Sequence, residues 1–338
     1  MGAFLRHPDL LLDPVCVTGE HLAPSVGMIP GPAPDPLKCY EWGARGRKML
    51  PEDGFGGDGM AGNHVLRIDC PDEKGLVHRI TGVLYRNGLN IVSNAEFVEH
   101  STARFFMRTE YSGEAASTQV VGELAAELPA AAVIQLEPVR KKSIVILVTK
   151  EHHCLADLLT RHAFGELHAT VRAVIGSHEV LKPLVDQAGI PFHLVSHLGK
   201  TREAHEAAIL KILNRTRPEF IVLAKYMRIL SPAFVRRYEN RIVNIHHSFL
   251  PAFAGAQPYQ QAAERGVKII GATAHFVNEA LDEGPIIAQG VVPVDHSHSV
   301  TAMTLAGRDV EKIVLANALR LVFEDRVFVG GNKTIIFD

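Results

Sequence analysis

SIVILVT, residues 143–149, is an unbroken apolar run rich in β-branched side chains. Such a strand has no solvent face of its own, so it belongs in a sheet covered on both sides. The same character returns in ATVRAVIGS (169–177), PFHLVS (191–196), EFIVLA (219–224), RIVNIHH (241–247) and KIIGATAHFVN (268–278). Helical stretches lie between several of them, the first over Cys154–Arg161. Strands that alternate with helices predict an α/β domain with a largely parallel sheet. A long helix near Val300–Phe323 and a last pairing segment, RVFVGGNKTIIF (326–337), complete it.

Upstream of the charged joint VRKKS (139–143) the pattern changes. HVLRIDC (64–70) alternates as a strand. In DEKGLVHRITGVLYRNG (72–88), Leu76, Ile80, Val83 and Leu84 share one helical face and Gly88 stops the helix. LNIVSNAEFVEH (89–100) and TARFFMRTEYS (102–112) read as a hairpin. AASTQVVGELAAEL (115–128) is a second helix closed by Pro129, and AAVIQLEP (131–138) a fourth strand. The order βαββαβ predicts a four-stranded sheet with both helices on one face. Residues 1–61 differ again: GMIPGPAPDP (27–36) and PEDGFGGDGMAG (51–62) have no periodicity. Such a segment buries too little apolar surface to offset its ordering entropy. A disordered leader is expected over 1–61, a first domain over 62–140 and a second over 143–338, with Met49 or Met60 as alternative starts of the working protein.

The 338 residues suit two domains, and 47% hydrophobic with 21% charged residues suits a full core. A net charge of −2 gives no basic surplus for nucleic acid or an anionic membrane. No stretch approaches a membrane span, and the N-terminal apolar run is too short for an export signal. Cys16, Cys39, Cys70 and Cys154 lie far apart and form no CxxC pair. A reducing cytoplasm is the expected location.

Taken as the carboxyl end of a strand, RIVNIHH points Asn244 and His246 one way and His247 the other. Sites in open α/β sheets lie at those ends. An amide donor beside an imidazole suits a carbonyl oxygen and a moving proton. By itself Asn-x-His does not separate a catalytic histidine from a structural one. Asp282, in an Asp-Glu-Gly-Pro turn before an apolar strand, adds a carboxylate able to hold a histidine protonated, or is ordinary turn chemistry. His152, His153 and Cys154 are read as structural, since adjacent residues rarely chelate one ion.

NIHHSFLPAFAGA (244–256), GATAHFVNEALDEGPIIAQ (271–289) and VLAKYMRIL (222–230) together resemble the 10-formyltetrahydrofolate-utilising formyltransferases, from about Ser143 onward. The resemblance implies a Rossmann-like formyltransferase domain with Asn244, His246 and Asp282 as the catalytic triad. It implies a folate pocket lined by Met227, Arg228, Ile229, Leu230 and Val277, with His275 near the triad and grouped with the substrate-binding residues. His247 is expected to be structural, supporting the loop that carries Ser248.

Residues 62–140 resemble an ACT domain. CPDEKGLV (70–77) matches that family's Asp-x-x-Gly-[LV] approach to the first helix, and Asn90 opens the second strand. Asp72, Gly75, Leu76 and Asn90 are then expected to hold an amino-acid effector. An ACT domain fused to a formyltransferase fold resembles the formyltetrahydrofolate deformylase family. That implies hydrolysis of 10-formyltetrahydrofolate to formate and tetrahydrofolate, supplying formate for one-carbon metabolism and purine synthesis. Neither metal nor prosthetic group is expected, because an N-formyl group on an aryl amine is already electrophilic. Partners are expected to be the folate substrate, the effector and further copies of the chain, a homo-oligomer through an exposed sheet edge. Glycinamide ribonucleotide transformylases carry a Gly/Ser/Asn-rich phosphate loop after the first strand; here that position reads VTKEHHCLAD (148–157). The alternatives are such a transformylase, or a non-catalytic folate or amino-acid sensor. Gln257 stands where the deformylase pattern GARPY has Arg, which is expected to alter affinity rather than reaction.

Overall fold

The structure, a computed structural model, describes residues 63–251 and 258–338. The expected leader and Gln257 lie outside these residues. The N-terminal domain is β1 (His64–Pro71), α1 (Leu76–Arg86), β2 (Asn90–Glu99), β3 (Arg104–Ser112), α2 (Ser117–Glu127) and β4 (Val133–Pro138). Its antiparallel sheet has the order β2-β3-β1-β4. Leu76, Ile80, Val83 and Leu84 are the buried face of α1, as their spacing predicts, and they pack with Val120 and Leu124 of α2.

The second domain runs β5 (Lys142–Val148), α3 (His153–Ala163), β6 (Ala169–Gly176), α4 (Lys182–Gln187), β7 (Phe192–Leu194), α5 (Arg202–Thr216), β8 (Phe220–Leu223), α6 (Pro232–Arg237), β9 (Ile242–His246), α7 (Pro258–Arg265), β10 (Ile269–Phe276), β11 (Ile286–Pro293) and α8 (Val300–Phe323). The sheet order is β11-β10-β9-β8-β5-β6-β7. β5 to β9 are parallel; β10 and β11 extend the sheet antiparallel. The SIVILVT strand divides its side chains between two cores. Ile144, Ile146 and Val148 pack with Leu155 of α3 and Val314, Leu315 and Ala318 of α8. Val145 and Leu147 pack with Ile209 and Leu213 of α5 and Phe234 of α6. Each such side chain contributes about 1.5–3 kcal/mol by leaving water, so this strand anchors both layers.

The last segment forms β12 (Val327–Gly330) and β13 (Lys333–Ile336), which pair with each other rather than extending the large sheet. This ribbon meets the face of the N-terminal sheet opposite its helices. Arg67 donates to the Val327 carbonyl and lies 4.4 Å over the Phe328 ring, and Phe106 meets that ring edge-on at 5.6 Å. Arg108 reaches the Glu324 carbonyl at 3.0 Å.

Candidate active site

β8 and β9 are neighbours, with Leu223 level with Asn244. The loop leaving β8 therefore lies beside the carboxyl end of β9. β10 runs back along β9 and sets His275 opposite Asn244 and Thr273 opposite His246. Asp282 enters from the β10–β11 connection, in a left-handed backbone conformation with φ of 58°. Asp is among the few side chains that tolerate this region, and strained residues cluster where a site demands them. Gly284 lets the two arms of the turn pass: a Cβ there would sit 1.7 Å from the Phe276 carbonyl oxygen. Gly284→Ala is expected to destabilise the fold by about 1–3 kcal/mol, the scale of overpacking, and to lower activity as Asp282 moves. Parallel melting and turnover measurements check this.

His246 Nδ1 lies 3.4 Å from Asp282 Oδ2, and His275 Nε2 lies 3.9 Å from Asp282 Oδ1. The contact with His246 holds the Asp282 carboxyl below its ordinary value, against a partial burial that works the other way. His246 is buried, and its other ring nitrogen, Nε2, has no hydrogen-bond partner among the described residues. An imidazole with one nitrogen on a carboxylate and the other unengaged is poised to serve an incoming group.

His275, grouped with the substrate-binding residues by the resemblance, is 1% exposed and bonds Asn244. Its Nδ1 lies 2.8 Å from the Phe276 carbonyl, which can only accept, so Nδ1 carries the proton. Nε2 is then an acceptor and takes a hydrogen from the Asn244 amide at 3.2 Å. Burial pushes the His275 pKa down, which keeps the ring in this neutral form. The orientation of the Asn244 amide follows from it.

Met227 and Ile229 are 57% and 56% exposed, apolar side chains offered to solvent on the loop after β8. With Arg228, Leu230 and Tyr226 they line a hollow of about 280 Å³. Ser231 caps α6 and is held by Glu206, fixing the far end of the loop. Val277 donates its N–H to the Ile242 carbonyl at 2.9 Å and is half-buried against the core that holds Leu230. In the first domain Asp72 and Gly75 precede α1, and Asn90 begins β2 with an exposed side chain. Leu76 is 2% exposed and its side chain belongs to the core of the domain.

The expectation that His247 supports the Ser248 loop is corrected. Thr273 supports that loop instead. Its hydroxyl donates to the Ser248 carbonyl and receives the Leu250 N–H, while Gln289 bonds both Thr273 and the Leu250 carbonyl. His247 faces a second hollow, lined also by Lys225, Tyr259, Arg308 and Glu311. Burial, with Lys225 and His246 adding, lowers its pKa to about 4. His153, Cys154 and Glu311 bring donor atoms within 4.8 Å of one another. They do not fit a cation, because the Lys225 ammonium already lies 3.1 Å from Glu311 and burial drives the Cys154 thiol far up. Glu311 was open to detection in the sequence, since it sits on the same stripe of α8 as Val314, Leu315 and Ala318.

The formyl transferase family profile matches residues 142–319, and the ACT domain profile residues 64–127. A formyltetrahydrofolate deformylase of Escherichia coli (strain K12) is 56% identical over 272 residues, spanning 80% of this chain and 97% of that protein. The chain belongs to the formyltetrahydrofolate deformylase family. The crystal structure of a deformylase from Pseudomonas syringae pv. tomato superposes with a TM-score of 0.79 at 39% identity, over 82% of this chain and 94% of that one. Glycinamide ribonucleotide transformylase 1 from Symbiobacterium toebii superposes at a TM-score of 0.56 and 32% identity, over 58% of this chain and 94% of that one. Family membership thus covers both domains, whereas the transformylase likeness spans little more than half of the chain.

Proposed function

We propose that the chain hydrolyses 10-formyltetrahydrofolate to formate and tetrahydrofolate, acting on a linear amide C–N bond. The observation that carries this is the convergence of Asn244, His246 and Asp282 beside the exposed Met227–Leu230 loop, in a chain with both deformylase domains. Folate lies against that loop and Val277, with its N10-formyl group over His246. Asn244 and His246, through its unengaged Nε2 side, hold the oxyanion that forms when water attacks the formyl carbon. Asp282 holds His246 Nδ1 in place, accepts the proton that water sheds, and returns it to N10 as the C–N10 bond breaks. No step requires a cofactor. Transfer to a phosphorylated amine is disfavoured by the loop after β5. It has no glycine, Thr149 accepts the Met227 N–H, and Glu151 is engaged by Arg308. The test is formate release from 10-formyltetrahydrofolate with and without glycinamide ribonucleotide. Equal amounts of formate and tetrahydrofolate in both assays are expected. Formylation of the ribonucleotide, or no turnover, defeats the proposal.

We assign the N-terminal domain to regulation by a free amino acid. The N–H groups of Gly75 and Leu76 open α1, where an effector carboxylate is favoured, and exposed Asn90 can meet the amino group. The domain assembles with a second copy through the edge strand β2, and the buried thiols Cys70 and Cys154 suit a reducing cytoplasm. An effector must bind the active and inactive arrangements differently. A calorimetric and kinetic screen of the common amino acids is expected to find one that alters the rate of the wild type and loses its effect in Asn90→Ala. No response from wild type reduces the domain to an assembly module, and an equal response from both moves the site elsewhere.

A further inference from the structure

Beyond His246, on the side of His247, lies the hollow of about 440 Å³ that shares Met227 with the folate-side hollow. It holds two carboxylates, and each is matched by a cation of the chain itself. Lys225 Nζ lies 3.1 Å from Glu311, and Arg308 Nη2 lies 2.6 Å from Glu151. Lys225 is held there at a cost. Its backbone is left-handed, with φ of 59°, a region that a lysine adopts only with strain, and its side chain is 8% exposed. Glu311 is 1% exposed and is also bonded by His153 Nε2 and the Tyr259 hydroxyl, each at 2.8 Å. Burial works to raise its carboxyl, but His153, Lys225 and Tyr259 outweigh it and hold it at about 2. A strained, buried lysine on an already satisfied acid contributes little as a stability device.

We propose that Lys225 is a specificity-determining residue: by occupying Glu311 inside this hollow, it denies a competing amine its carboxylate anchor and leaves water as the formyl acceptor. The inference rests on the deformylase reading. An amine at neutral pH arrives largely as an ammonium and needs an anion to dock on. With Glu311 and Glu151 both engaged from within, none is offered, whereas water needs none. Were an amine to dock and shed its ammonium proton to solvent, its nitrogen would bond the formyl carbon, and as the C–N10 bond broke a second proton would pass from that nitrogen to N10. The products would be an N-formyl amine and tetrahydrofolate, with no formate.

The experiment is a partition measurement with glycinamide as the amine. Wild type, Lys225→Met and Lys225→Gly turn over 10-formyltetrahydrofolate in its presence, and formate, N-formylglycinamide and tetrahydrofolate are quantified. Glycine relieves the left-handed backbone and methionine retains the bulk, while His153 and Tyr259 keep Glu311 in place in both. Both variants are expected to raise N-formylglycinamide per tetrahydrofolate by about tenfold or more over wild type, the scale of a hydrogen bond to a charged group. Formate equal to tetrahydrofolate in both variants, or the same transfer by wild type, overturns the proposal. If neither Lys225 variant is soluble, Arg308→Gln, which bares Glu151, is held to the same outcomes. Wild type that releases no formate without amine refutes the deformylase reading instead, so the two failures are told apart.

Discussion

Asp282→Asn is expected to lower kcat by at least about a hundredfold while folate binding is largely kept, the usual scale for a positioned acid–base group. The amide preserves the shape of the side chain in its turn, and Gly284 still lets the turn close. What is lost is the charge. Asp282 faces His246 at 3.4 Å and His275 at 3.9 Å, and its carboxyl is held down chiefly by His246. In wild type the carboxylate is therefore present at neutral pH. It disappears only as pH falls through a value below the ordinary 3.8, so activity that depends on it is lost toward acid. In the amide variant that dependence is absent because there is nothing left to protonate. Steady-state kinetics across pH, with folate affinity measured separately, check both parts. Near wild-type turnover would remove Asp282 from the mechanism.

How far the sequence foretold this site depends on the range over which each residue acts. The amphipathic face of α1 and the two-sided burial of SIVILVT are local periodicities, and both return in the structure unchanged. Asn244 and His246 were paired correctly by strand alternation alone. Asp282 lies 36 residues further on, and its place beside His246 rested on family resemblance; the structure supplies the reason, an antiparallel β10 that returns the chain to β9. Side chains that act across the sheet were missed or misassigned. Thr273 holds the loop expected of His247, because a cross-strand register decides it and register is not written in either strand. Lys225 reads as an ordinary surface cation until its left-handed backbone and its buried partner are known. The final segment was read as pairing, and it pairs only with itself; its partner face on the N-terminal sheet is set by Arg67, Phe106 and Arg108, more than 200 residues away.

Asn244→Ala is expected to cost about 10²–10³ in kcat, the range for removing a preorganised oxyanion donor, with a much smaller change in folate binding. The case rests on orientation. An asparagine free to rotate would present oxygen or nitrogen to the reacting carbonyl with little preference, and an oxygen would repel the developing oxyanion. Here one amide hydrogen is committed to His275 Nε2 at 3.2 Å, because His275 Nδ1 is committed to the Phe276 carbonyl at 2.8 Å. Burial keeps that imidazole neutral and so keeps Nε2 an acceptor. The second hydrogen of the same nitrogen is left to donate toward the reacting group. His275→Ala should then reduce kcat by less than Asn244→Ala, since the donor survives with its orientation loosened. The double variant should be little worse than Asn244→Ala alone, because residues that act as a unit do not add. Presteady-state measurement of the hydrolytic step in the three variants checks the order. Fully additive losses would show His275 acting apart from Asn244 and would remove the orienting chain from the mechanism.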